Sequence, residues 1–125
     1  MRQIRIRNQV AILSAIAVAL AFTAAGCKPA LPPSKPLSQL TPQEASGYSV
    51  FQSRCARCHY ANSESSLHGP GLQGLYKQRF LPSGSPANDD RVAWVIVHGR
   101  GIMPALGNNL DDQQLIDLLA YLHTL

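Results

Sequence analysis

The sequence is poor in charge, in aromatics and in sulfur. Asp, Glu, Lys and Arg make up 14% of its 125 residues and aromatics 6%, with three cysteines and two methionines. Its length leaves room for one domain of ordinary size, which excludes a multidomain enzyme, an eight-fold β/α barrel and a multi-span transporter. The formal net charge of +4 does not mark a basic protein. Three of the eleven Lys/Arg are Arg2, Arg5 and Arg7, and without them eight basic residues face seven acidic ones. A nucleic-acid role, which needs a basic face on the folded part, loses its support. No segment alternates polar and apolar residues as a half-buried strand does. No nucleophile–base pair or paired carboxylate stands out, so the chain does not read as an enzyme. The longest apolar run, Val10 to Ala25, broken only by Ser14 and Thr23, is 16 residues, short of the roughly 20 that a membrane-spanning helix needs.

That run is instead the centre of an export leader over residues 1–26. Arg2, Arg5 and Arg7 form its positive end, and Ala24-Ala25-Gly26 supplies small residues before Cys27. The stretch resembles a bacterial lipobox, with Ala24 where that family usually places Leu. The resemblance implies that Cys27 is acylated and becomes the first mature residue. The other reading is an uncleaved signal anchor that ends in a cysteine. Either one ties the protein to a membrane surface outside the cytoplasm, and two or more acyl chains suffice for stable anchoring. Lys28, not Asp, follows the cysteine. By resemblance to enterobacterial sorting this points to the outer membrane, but other bacterial groups follow other rules, so inner against outer membrane stays open.

Five of the nine prolines fall between Pro29 and Pro42. Residues 27–40 carry no apolar periodicity beyond Cys27 and read as a semi-rigid tether, spanning roughly 40 Å if Lys28–Leu40 were polyproline-like at ~3.1 Å per residue. The globular domain is expected over 41–125. Thr41, Pro42 and Glu44 form a helix start with a capping box, and that helix should run to about Cys55. A second helix is expected over Asp89–His98, with acidic residues first and Gly99 as a stop. The third spans about Asp112 to Thr124, with Leu115, Leu118, Leu119 and Leu122 on one face. The class is all-α with much loop. About 85 residues of this kind make a thin core, and small domains of that size often rely on a cofactor or crosslink.

Cys55-Ala56-Arg57-Cys58-His59 is C-x-x-C-H, the haem c attachment signature. Two cysteines three apart at a helix end reach the two vinyl groups on one porphyrin edge and form thioethers, and the histidine after them falls beneath the iron. This attachment takes place outside the cytoplasm, in agreement with the leader. A zinc site needs four ligands. The only other cysteine is Cys27, and His68, His98 and His123 show no paired spacing. A thioredoxin-like pair wants a βαβ setting, and a disulfide across two residues closes too small a loop to stabilise much.

Iron then needs a sixth ligand or an open site. Met103, the one methionine beyond the leader, lies in Gly99-Arg100-Gly101-Ile102-Met103-Pro104. Glycines let such a loop approach the porphyrin closely, and Pro104 stiffens the chain just past the sulfur. A lone methionine is by default core filling, but this loop offers little to pack against. His98 is the rival ligand.

With C-A-R-C-H early, Gly-Pro soon after, G-x-M-P and a final helix ending Ala120-Tyr121-Leu122, the region from about Glu44 to Leu125 resembles a class I monohaem cytochrome c. The resemblance implies N- and C-terminal helices crossing around one covalently bound haem, with Gly47 and Phe51 meeting the last helix near Tyr121. It implies His59 and Met103 as axial ligands, and a Pro70 carbonyl that accepts a hydrogen bond from His59 and fixes the ring. Trp94 and Tyr76 either reach a haem propionate or line the pocket. Thioether opposite imidazole raises the reduction potential relative to two nitrogen ligands. The expected function is one-electron transfer on the periplasmic side, as a mobile lipid-anchored carrier between respiratory redox partners. One alternative is a fixed subunit of a larger membrane oxidoreductase, and another is a gas-binding or peroxidase protein with a labile methionine.

Overall fold

The first helix begins where its capping chemistry places it. In the computed structural model, which describes residues 30–125, α1 spans Pro42–Arg54. The Glu44 amide donates to the Thr41 hydroxyl at 3.3 Å and the Thr41 amide donates to the Glu44 carboxylate at 2.7 Å. Each side chain thus satisfies a donor that the helix start would otherwise leave open. α2 spans Asp89–His98, with Asn88 accepting from the Arg91 amide and Gly99, at φ 73°, stopping it. α3 spans Asp112–Leu122, opened by a capping box between Asp111 and Gln114. It ends two residues before Thr124, because the Thr124 hydroxyl and amide both donate to the Tyr121 carbonyl, at 2.7 and 2.9 Å, and tighten the last turn. A single 3-10 turn, Leu37–Gln39, precedes α1. Among the described residues there is no strand, only the isolated bridges Phe80–Pro86 and Arg100–Met103. The class is all-α.

α1 and α3 cross in close contact, and Gly47 is the crossing point. A Cβ there would run into the Asp117 carbonyl of α3 and lie 2.8 Å from Tyr121 Cβ. One turn further on, Phe51 packs on the Tyr121 ring at 5.5 Å between centroids, while Tyr48 meets it edge-on at 5.4 Å, both geometries that aromatic pairs prefer. The core consists of Phe51, Val92, Ile96, Leu118, Tyr121, Leu122 and Leu125. Leu115 and Leu119, from the stripe expected on α3, pack at its rim. Burial, with Tyr48 second, pushes the Tyr121 phenol up to about 12.

The described part of the expected tether does not hang free. Leu40 packs against the core. The Lys35 amide donates to the Thr124 carbonyl at 2.8 Å, and its ammonium donates to the Glu44 carboxylate at 2.6 Å. Leu31–Leu125 accordingly form one compact unit. Proline removes a backbone donor but leaves its carbonyl, so a proline-rich segment can still dock through its other amides and its side chains. No described helix is long and apolar enough to cross a membrane. The leader, Cys27 and the first tether residues lie outside the described residues.

Candidate functional site

Cys55 caps the C-terminus of α1, and the chain continues through one more turn. The Cys58 and His59 amides both donate to the Cys55 carbonyl, at 2.9 and 3.0 Å. That turn puts the two thiols one helical step apart with His59 directly after. Both thiols are free and partly buried. Burial, with Cys58 second, pushes the Cys55 thiol up to about 11, so it stays protonated at neutral pH.

The loop after His59 folds back under its ring. The Gly69 amide donates to the Cys58 carbonyl at 2.8 Å, and the Leu72 amide donates to the Tyr60 carbonyl at 2.9 Å. This places the Pro70 carbonyl 2.8 Å from His59 Nδ1. A carbonyl oxygen only accepts, so Nδ1 carries the proton and Nε2 presents its lone pair. Gly69 is needed for the approach, since a Cβ there would strike the imidazole. Gly71 is enclosed in the same way, with a Cβ meeting the Ser63 carbonyl and lying 2.6 Å from that of Ser65.

Met103 stands on a separate loop beyond α2. Arg100 and Met103 exchange backbone hydrogen bonds of 3.0 and 2.9 Å, and the turn is made by Gly99 and Gly101 at φ 73° and 57°. The Leu106 amide donates to the Ile96 carbonyl at 3.0 Å and so pins the segment to the end of α2. Ile102 is 85% exposed, while its neighbour Met103 packs at the rim of the core that also borders Cys55 and Ala56. Hydrogen bonds thus gather Cys55, Cys58, His59 and Pro70 into one cluster, and Met103 joins that cluster only through the shared apolar core.

The donor set suits an iron porphyrin. Two unpaired thiols stand one turn apart beside an imidazole whose tautomer is fixed by a backbone carbonyl, and Nε2 has no protein partner among the described residues. Among those residues no group of three His, Cys, Asp or Glu side chains is placed to hold a metal ion.

Two further aromatic–histidine pairs lie outside this cluster, one within α2 and one between distant segments. His98 stacks on Trp94 at 4.7 Å, and its Nδ1 lies 2.9 Å from the Trp94 carbonyl. Tyr76 stacks on His123 at 3.7 Å, and His123 Nε2 lies 2.8 Å from the Asp89 carboxylate, which joins the start of α2 to the end of α3. The Tyr76 hydroxyl is enclosed without a partner of hydrogen-bond geometry. Burial first, and the nearby Asp89 carboxylate second, hold that phenol well above its usual range.

Residues 42–122 match the family model described as "Cytochrome C oxidase, cbb3-type, subunit III". The chain is similar to cytochrome c6 of Chlorolobion braunii, 30% identical over 79 residues, covering 63% of this chain and 86% of the relative. Cytochrome c6 of Picosynechococcus is 30% identical over 81 residues, covering 62% of this chain and 69% of the relative. The crystal structure of cytochrome c6 from the diatom Phaeodactylum tricornutum shares the fold, at a TM-score of 0.52 and 20% identity, covering 63% of this chain and 88% of the other. Taken with the crossed helices and the Cys55–His59 turn, these likenesses show that the chain belongs to the family of that model, small c-type cytochromes related to cytochrome c6 that carry one haem c and transfer electrons.

Proposed function

We propose that the protein is a lipid-anchored electron carrier on the periplasmic face of a bacterial membrane. It is exported by a leader over 1–26 and held by an acylated Cys27. Cys55 and Cys58 would hold a haem through two thioethers, His59 and Met103 would ligate its iron, and Pro70 orients His59 through its carbonyl. The observation that carries this reading is the 2.8 Å contact between His59 Nδ1 and the Pro70 carbonyl, beside two free thiols one turn apart.

When bound, the haem supplies a single Fe(III)/Fe(II) couple. The residues around it do the rest. His59 presents Nε2 in one fixed orientation, and the Nδ1–H bond makes the imidazole a stronger donor. Met103 gives a soft ligand that favours the ferrous state and raises the potential. His59 and Met103 each stand on a hydrogen-bonded turn, so the couple they would hold could exchange one electron between a donor and an acceptor protein with little ligand rearrangement. The test is the ferric spectrum. Met103→Ala is expected to abolish the thioether-to-iron charge-transfer band while His98→Ala retains it; a band that survives Met103→Ala overturns the assignment.

A second reading has its own support, because the matching family model is described as an oxidase subunit. In that reading the chain is a fixed electron-transfer subunit of a membrane oxidoreductase. Mild solubilisation followed by sizing of the haem-containing species separates the two. A free carrier runs at the size of one small chain, and a fixed subunit runs with a large complex.

A further inference from the structure

We propose that Leu31–Leu40 is a strap that clamps the haem domain close to its lipid anchor, so that it exchanges electrons with redox groups lying near the same membrane surface. The membrane half of this proposal rests on Cys27 as the anchored residue. The strap rests on contacts within the described residues.

Those contacts are spread along the whole segment. Leu31 lies against Gly74, where a Cβ would come within 2.6 Å of its Cδ1. Gln73 Nε2 donates to the Pro32 carbonyl at 3.4 Å. The Ser34 hydroxyl is enclosed. Lys35 is held twice, by its amide on the Thr124 carbonyl and its ammonium on the Glu44 carboxylate. Leu40 closes the segment against the core. The strap is thus fastened to the loop at Gln73–Gly74, to the C-terminal end at Thr124 and to the first turn of α1. A segment held at both ends and in the middle loses far more freedom than one that touches once. The strap lies outside residues 42–122, which match the family model.

The consequence is one of length. With Leu31 docked, only Lys28, Pro29 and Ala30 remain between it and Cys27. Four extended steps reach at most roughly 14 Å, where a free polyproline-like Lys28–Leu40 would reach roughly 40 Å. A carrier held so short cannot rise to meet a partner whose redox group stands well off the membrane. Its partner is a membrane-bound protein that carries its electron-exchanging group close to the surface.

The test uses lipidated holo-protein in vesicles that contain a headgroup-labelled fluorescent phospholipid, read by energy transfer to the haem. Two variants are compared with the native chain. One inserts 20 Gly/Ser residues between Ala30 and Leu31, and the other releases the strap with Leu31→Asp and Lys35→Glu. The insert adds an r.m.s. span of about 25 Å, and quenching is expected to fall about twofold or more in both variants. Equal quenching in all three chains overturns the proposal. Hydrogen exchange at the Lys35 amide separates the two halves. Slow exchange is expected, and exchange at the free-peptide rate overturns the strap whatever the anchoring. A native chain that fails to sediment with vesicles overturns the anchoring, and with it the membrane half, even where the Lys35 amide is protected.

Discussion

At the scale of single residues, the group that orients His59 is a backbone carbonyl, so the side chain of Pro70 is not what controls it. Pro70→Ala keeps the carbonyl and is expected to leave the ferric spectrum unchanged. Gly69→Ala sets a methyl group against the imidazole. It is expected to cost about 1–3 kcal/mol as overpacking and to stretch the Nδ1 hydrogen bond. A weaker bond makes His59 a poorer donor to ferric iron, so the midpoint potential rises. Thermal unfolding and redox titration of the holo-protein check both effects, and an unchanged potential contradicts them. Cys55, Cys58, His59 and Met103 could be singled out as candidates from the sequence because their motifs lie within a few positions. Gly69 was not, because a glycine before a proline reads as a turn and its crowding comes from a ring ten positions earlier.

Among the elements, helix ends were the most legible feature. Thr41 with Glu44 and Asp111 with Gln114 each act across three residues, and Asp111→Ala is expected to cost about 1 kcal/mol in denaturant unfolding. Helix contacts are not written locally and were expected only through the resemblance, and Gly47 shows the difference in sign. Helix propensity alone makes Gly47→Ala stabilising by about 1 kcal/mol. The α1–α3 crossing makes it destabilising, because the added methyl meets the Asp117 carbonyl and a backbone cannot rotate out of the way. The expected result is a loss of about 1–3 kcal/mol in the unfolding free energy; a gain contradicts the crossing. The contacts of the Pro-rich segment before α1, which reads as a semi-rigid tether, were hidden for a related reason. The segment has no periodicity of its own, and its partners lie as far away as Thr124, 89 positions from Lys35.

For the whole molecule, the strap makes stability depend on acid. Its contact with Lys35, and then with the Thr41 amide, holds the Glu44 carboxyl below the usual carboxylate range. A carboxyl depressed in the fold contributes above its unfolded pKa, and the contribution is lost as pH falls through the folded one. The Lys35–Glu44 link is therefore intact at neutral pH. Below the ordinary carboxylate range it weakens, and the Lys35 amide is expected to exchange faster there, beyond the chemical pH dependence of exchange, than in a Glu44→Gln control, which lacks the step. At this scale the expected thin core is also explained. Seven buried apolar side chains are few for a domain of this length, and a covalently held cofactor adds both apolar contacts and a crosslink. That attachment is the claim on which everything else depends. Mass analysis of the exported protein, denatured in acid and then digested, tests it most directly. The account predicts one haem retained on the polypeptide and mapped to the peptide containing Cys55–His59. An unmodified peptide at that mass, or haem released into the acid solvent, contradicts it.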